Sequence, residues 1–260
     1  MGAAFRRIAG EQIDKALAEA QAADEPVAWR VHQLRKRCKK IRALARLVRP
    51  GLEDYESVNR SFRDSARLLS SQRDARVMRD LVVSMAKSDD RVASKPPVVR
   101  VFRLNCTIAE QLAEPALGEV RRRLAREAVD IERLGVDALD FGDVCRGVEK
   151  TLGRAHEALR RVADDGTSAA YHEWRKRCKY HWYHLRLLRK LLPEDLADRG
   201  DSFDKLGKII GNAHDRSVLL DRLELLPAYL REDAATRRIA ALALRQRREL
   251  RRRGLQAATG

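Results

Sequence analysis

Aromatic residues make up only 5% of this 260-residue chain, which also holds just 7 prolines and 14 glycines. That scarcity argues against a β-sandwich or barrel, which needs frequent turns and a supply of aromatic and β-branched side chains. Long apolar runs are missing as well. No stretch is apolar for long enough to span a bilayer, so no transmembrane helix is expected. The four cysteines (Cys38, Cys106, Cys145 and Cys178) are widely spaced and form no Cys-x-x-Cys. Neither a disulfide framework nor a zinc ribbon is therefore expected, and the thiols are read as reduced in a cytosol-like compartment. Met1-Gly-Ala-Ala-Phe-Arg6 has no continuous apolar core, and Arg6 occupies the place where myristoylation needs Ser or Thr, so neither a secretory signal nor that lipid is expected. Acidic charge is the scarce sign. Lys and Arg number 54 against 38 Asp and Glu, a formal net charge of +16. Such an excess predicts attraction to polyanions and says nothing about fold.

What is plentiful is Ala, Leu, Arg and Glu, a helix-forming mixture. Apolar periodicity and breakers predict helices over roughly 4–22, 26–48, 53–71 and 74–87. After a break at Ser94-Lys-Pro-Pro97 a long helical region reaches about 134, with Pro115 as a kink or restart. Further helices are expected at 143–162, 169–192, 195–211 and 215–226, with a last one from Pro227 to Arg253. Asp74 and Asp215 read as N-caps.

One eight-residue segment occurs twice. His32-Gln-Leu-Arg-Lys-Arg-Cys-Lys39 returns as His172-Glu-Trp-Arg-Lys-Arg-Cys-Lys179, identical at six of eight positions. A second block follows each copy. Ser61-Phe62 matches Ser202-Phe203, Arg67 matches Lys208, and Arg73-Asp74 matches His214-Asp215. The chain reads as a tandem duplication with halves at 1–137 and 138–260. Its fold class is expected to be all-α, as two antiparallel helical bundles.

Each copy is two-faced. In the first, Val27, Val31, Leu34, Cys38, Ile41, Ala45 and Val48 recur at four- and three-residue steps and form one packing seam. His32, Arg35, Lys36, Lys39, Arg42 and Arg46 form a cationic stripe roughly 130° around the helix, by the 3.6-residue turn. In the second, Trp174, Cys178, His181, Leu185, Leu188 and Leu192 take the seam, and His172, Arg175, Lys176, Lys179 and Arg186 the stripe. From Arg30 through Arg49 there are nine cations and no carboxylate. Like charges one turn apart weaken a helix, so such a run gains from an external polyanion or from acids on neighbouring segments. Arg67, Arg73, Lys208 and His214 extend the basic surface. His32 and His172 lead the stripes. A neutral imidazole donates one hydrogen bond and its cation two, so anion binding is expected to strengthen from about pH 8 toward 6.

Other constellations carry less. Cys178-x-x-His181-x-x-His184 fans its side chains around a helix, and the first copy has Ile41 and Leu44 at the matching places, so no metal site is expected. There is no Gly-x-x-x-x-Gly-Lys-Ser/Thr, and the stripes hold no carboxylates for Mg²⁺, so neither enzymatic activity nor a cofactor is expected. The run Arg237-Arg238, Arg245-Gln-Arg-Arg248 and Arg251-Arg-Arg253 reads as a solvated face or an auxiliary anion contact.

The paired His-x-x-Arg-x-x-x-Lys helices, each followed by an Arg-Asp or His-Asp pair, resemble the CHAD family of α-helical domains over nearly the whole chain. The resemblance implies two helical bundles related by pseudo-two-fold symmetry around a basic groove or cavity. It also implies non-catalytic binding of inorganic polyphosphate, a cytoplasmic location and association with polyphosphate granules. Carried onto this sequence, the binding residues would be the two stripes, with Arg67, Arg73, Lys208 and His214 in support. Trp182 stands where the first copy has Arg42, which makes the two half-sites unequal. Glu-x-Glu-x-Lys, the signature of the CYTH triphosphatase often fused to such domains, is absent. Nucleic acid is the alternative partner, with few aromatics in the stripes for base stacking.

Overall fold

A computed structural model describes residues 1–92 and 96–259. Among these residues the chain forms eleven helices and no strand. They are α1 (Gly2–Gln21), α2 (Val27–Leu47), α3 (Tyr55–Leu68), α4 (Ser70–Lys87), α5 (Pro97–Gln111) and α6 (Ala113–Glu132), then α7 (Phe141–Asp165), α8 (Ser168–Leu188), α9 (Glu194–Glu224), α10 (Ala228–Arg231) and α11 (Ala234–Thr259). None of them is long and apolar enough to cross a membrane. The expected break at 94–97 lies partly outside the described residues.

The helices gather into two compact units. The first comprises residues 1–74, 108–151 and 183–191, and the second 75–107, 152–182 and 192–260. These units interleave along the chain, whereas the repeat divides it at 137 and 138. In the first unit, α1 packs on α2 and α6, and α2 on α3. The seam of α2 supplies the centre of that unit's core. Val31, Leu34, Cys38, Ile41, Ala45 and Val48 are all buried, with Val27 half-buried beside them. Fully burying a residue such as Leu34 or Ile41 contributes about 1.5–3 kcal/mol. The last turns of α2 are buried on every side, and α7 comes close to them at Gly147. A Cβ on residue 147 would lie 1.7 Å from the Leu47 carbonyl oxygen. In the second unit, α9 packs along α11. Trp174 and Cys178 of α8 pack with Leu206 and Ile210 of α9.

Local chemistry sets several helix ends. The Asp140 carboxylate accepts the Asp143 amide at 2.8 Å, and the Asp143 carboxylate accepts the Asp140 amide at 3.2 Å, a reciprocal cap for α7. Gly166, at φ +58°, makes the left-handed turn before α8, and Thr167 Oγ1 accepts the Ala170 amide. Asp233 Oδ1 accepts the amides of Ala235 and Thr236 and opens α11. Pro115 sits in the first turn of α6, where a missing N–H costs nothing, so the long region after 97 restarts at 113.

Three expectations are corrected. Asp74 does not cap a helix: α4 begins at Ser70, and Asp74 lies within it, ion-paired to Arg73 at 2.8 Å. Asp215 likewise lies inside α9, one continuous helix where two were expected. Within it, Gly207 and Gly211 leave room for side chains of α8. A Cβ on residue 207 would lie 2.9 Å from Lys179 Cε, and one on residue 211 would lie 3.2 Å from Arg175 Nε. Finally, Pro227 opens only the short α10, and the last helix starts at 234.

Candidate functional site

On α2 the cations sort by face. Arg30 and Arg37, off the stripe, find carboxylates. Arg30 pairs with Glu114, and Arg37 Nε donates to Glu19 at 3.0 Å. Arg49, just beyond the helix, pairs with Glu56 at 3.0 Å. On the stripe, Arg35, Lys36 and Arg42 bond neutral oxygens. Arg35 donates to the Ala66 carbonyl, Lys36 to the Gln33 amide oxygen at 3.2 Å, and Arg42 Nε to Asn59 Oδ1 at 3.1 Å. Arg46 donates to the same Asn59 oxygen at 3.4 Å and is buried, at 7% exposure. Thus the stripe runs from exposed His32 and Lys39 down to a buried guanidinium at its C-terminal end. Burial pushes the Arg35 guanidinium below its usual value, against the field of Asp74. Arg67 is exposed, and Arg73 is half-buried against Asp74.

The second copy is built differently. Lys176 pairs with Glu173. Asp204 of α9 binds both Lys179, at 3.0 Å, and Lys208, at 2.7 Å. Lys179 Nζ also stands 4.3 Å from the centre of the Trp182 ring, a cation–π contact at the place where the first copy has Arg42. The rings of His172 and His214 approach to 4.7 Å between centroids. Burial, then the fields of Arg175 and Lys176, lower the His172 pKa, while Glu173 opposes them. Arg175 is half-buried beside Gly211. Arg186 belongs to the first unit and the rest of its stripe to the second.

Sequence reasoning missed Asn59, whose neutral amide gives no charge signal, and Asp204, whose spacing of four from Lys208 was visible. The cysteines shared by the two copies are core residues. Burial pushes the thiols of Cys38 and Cys178 up to about 12. His181 is held down to about 4 by burial, with the field of His156 adding to it, and meets Phe203 edge-on. Both ring nitrogens of His184 are engaged, with Thr151 Oγ1 at 3.2 Å and the Ala43 carbonyl at 3.1 Å. Among the described residues, no three His, Cys, Asp or Glu side chains are grouped to hold a metal. In the C-terminal run, Arg251 stacks on Tyr171 and Arg252 pairs with Glu249, so part of it serves structure.

The family model described as CHAD domain matches residues 7–224. No curated protein matches the chain.

Proposed function

Because the chain belongs to the CHAD domain family, we propose that it binds inorganic polyphosphate without turning it over, through the two basic helices. The contacts proposed are His32, Arg35, Lys36, Lys39, Arg42 and Arg46 on α2, and His172, Arg175, Lys176, Lys179 and Arg186 on α8. Arg67, Arg73, Lys208 and His214 support them. A cytoplasmic place at polyphosphate granules belongs to the same reading.

The observation that carries it is the sorting on α2. Acids from neighbouring helices reach Arg30 and Arg37, while Arg35, Lys36 and Arg42 donate to neutral oxygens. Each like-charge pair one turn apart costs about 0.2–0.5 kcal/mol. A phosphate chain relieves that repulsion and releases its own condensed counterions, by analogy with nucleic-acid binding. The arginines add forked hydrogen bonds suited to phosphate oxygens.

The test is a titration with long-chain polyphosphate of the wild type and of His32→Ala/Arg35→Ala/Lys39→Ala. Binding is expected to weaken at least about a hundredfold while helicity persists, since each charge-assisted hydrogen bond contributes about 1.5–3 kcal/mol. Arg35 also ties α2 to α3 through Ala66, so Lys36→Gln/Lys39→Gln serves as a second variant that leaves this bond in place. Unchanged affinity in both refutes the site. Duplex DNA that displaces polyphosphate at equal phosphate concentration favours the nucleic-acid reading instead.

A further inference from the structure

A cavity of about 230 Å³ lies within the first unit, on a different face of α2 from the stripe. Its apolar side is formed by Ile8 of α1, Ile41 and Leu44 of α2 and Leu187 of α8. Ile41 and Leu44 are buried, and Ile8 and Leu187 half-buried. Polar groups complete the lining: Gln12, Tyr183, half-buried Lys40 and exposed Arg186. Lys40 lies roughly 160° around α2 from Arg42 and about 40° from Lys36 at the edge of the stripe, by the 3.6-residue turn. The wall is therefore apolar at its buried end and doubly cationic at its exposed end.

The charged groups that act most on Lys40 are cations, the first of them, Arg37, itself paired with Glu19. After burial, the groups that act on its amine are Arg37, Lys36, Arg186 and Lys15, all of which lower its pKa. Polyphosphate has no apolar part with which to use this wall, and a neutral hydrocarbon makes no use of its cations. A ligand that satisfies both ends carries one anionic head and an apolar tail. The volume suits a small molecule, since a cavity of about 150 Å³ with apolar walls already holds benzene.

We propose that this cavity is a second site, which shares only Arg186 with the proposed polyphosphate contacts and binds a small amphiphilic anion. A carboxylate or phosphate-monoester head would sit against Lys40 and Arg186, and a short aliphatic tail against Ile41, Leu44 and Leu187. Gln12, whose Oε1 accepts from Arg37 Nη1 at 3.0 Å, and Tyr183 complete the wall beside the head. Lys40 and the apolar wall lie outside the two stripes, so the site stands even if polyphosphate does not use Arg186.

Titration calorimetry of the full chain with hexanoate, hexyl phosphate, hexanol and inorganic phosphate tests it. At least one of the two amphiphilic anions is expected to bind, and the tighter one identifies the head. Hexanol and inorganic phosphate should bind at least about tenfold more weakly. Lys40→Met keeps the aliphatic stem, removes the charge and should weaken binding at least about tenfold, the loss expected for one charge-assisted hydrogen bond. Leu187→Trp fills the cavity and should abolish binding. Lys205→Met, an exposed lysine of the second unit, should leave it within about twofold. Thermal melting of each variant monitors the fold. Absence of binding by both amphiphiles, equal binding of hexanol, or wild-type affinity in folded Lys40→Met overturns the proposal.

Discussion

Asp204 and Arg63 occupy matching places in the second block of the repeat, an acid in one copy and a base in the other. Asp204 binds Lys179 and Lys208. A polyphosphate using these lysines competes with that carboxylate. Asp204→Asn is therefore expected to raise polyphosphate affinity about fivefold, because a unit charge about 4 Å away contributes ~1 kcal/mol even in water. Affinity that falls or stays constant in a direct titration removes both lysines from the binding surface. His172 gives a pH signature. Its folded-state pKa is lowered, so folding favours the neutral ring. That contribution to stability is present above the ordinary histidine range and is lost as pH falls through the lowered value. A bound polyanion acts in the opposite sense and draws a proton onto the ring. Affinity at fixed salt should rise from about pH 8 to 6, around the ordinary histidine pKa, and the rise should shrink in His32→Gln/His172→Gln. A flat wild-type profile excludes histidine protonation from binding.

At the scale of elements, the two faces of α2 were legible because a helix prints its environment every three or four residues. The seam from Val31 to Val48 is buried as its spacing requires, and His32 and Lys39 are exposed. The burial of Arg46 was not legible, since it depends on neighbouring segments surrounding the end of α2. Helix ends were legible where a turn residue acts locally, as at Gly166 and Thr167. They were misread at Asp74 and Asp215, where an acid before an apolar pattern imitates a cap within a helix that continues. The same ambiguity hid the role of Gly207 and Gly211, which make space for α8. Gly147 is the sharpest case of such packing. Gly147→Ala places a methyl group against the Leu47 carbonyl oxygen and should destabilise the protein by about 1–3 kcal/mol, the range for overpacked sites. Urea unfolding measures this, and an unchanged midpoint would mean that α7 and the end of α2 separate without cost.

For the whole molecule, a net charge of +16 attracts any polyanion, so affinity alone does not locate a site. The family match over residues 7–224 covers both basic helices and leaves α11, with its separate arginine run, outside it. A specific surface is therefore distinguished from a merely basic one only by variants within the matched region. The repeat made the two basic helices visible from sequence. Their different partners, the neutral Asn59 in one and the anionic Asp204 in the other, came from segments whose packing no local pattern records.

The most direct test is the salt dependence of long-chain polyphosphate binding, measured by calorimetry at several concentrations between 50 and 300 mM NaCl (roughly the range over which phosphate contacts are resolved). Logarithmic plots for the wild type and His32→Ala/Arg35→Ala/Lys39→Ala should diverge, with the variant's slope shallower by about two, one for each permanent charge removed. Superimposable lines from a variant that keeps its fold would contradict the placement of phosphate on α2.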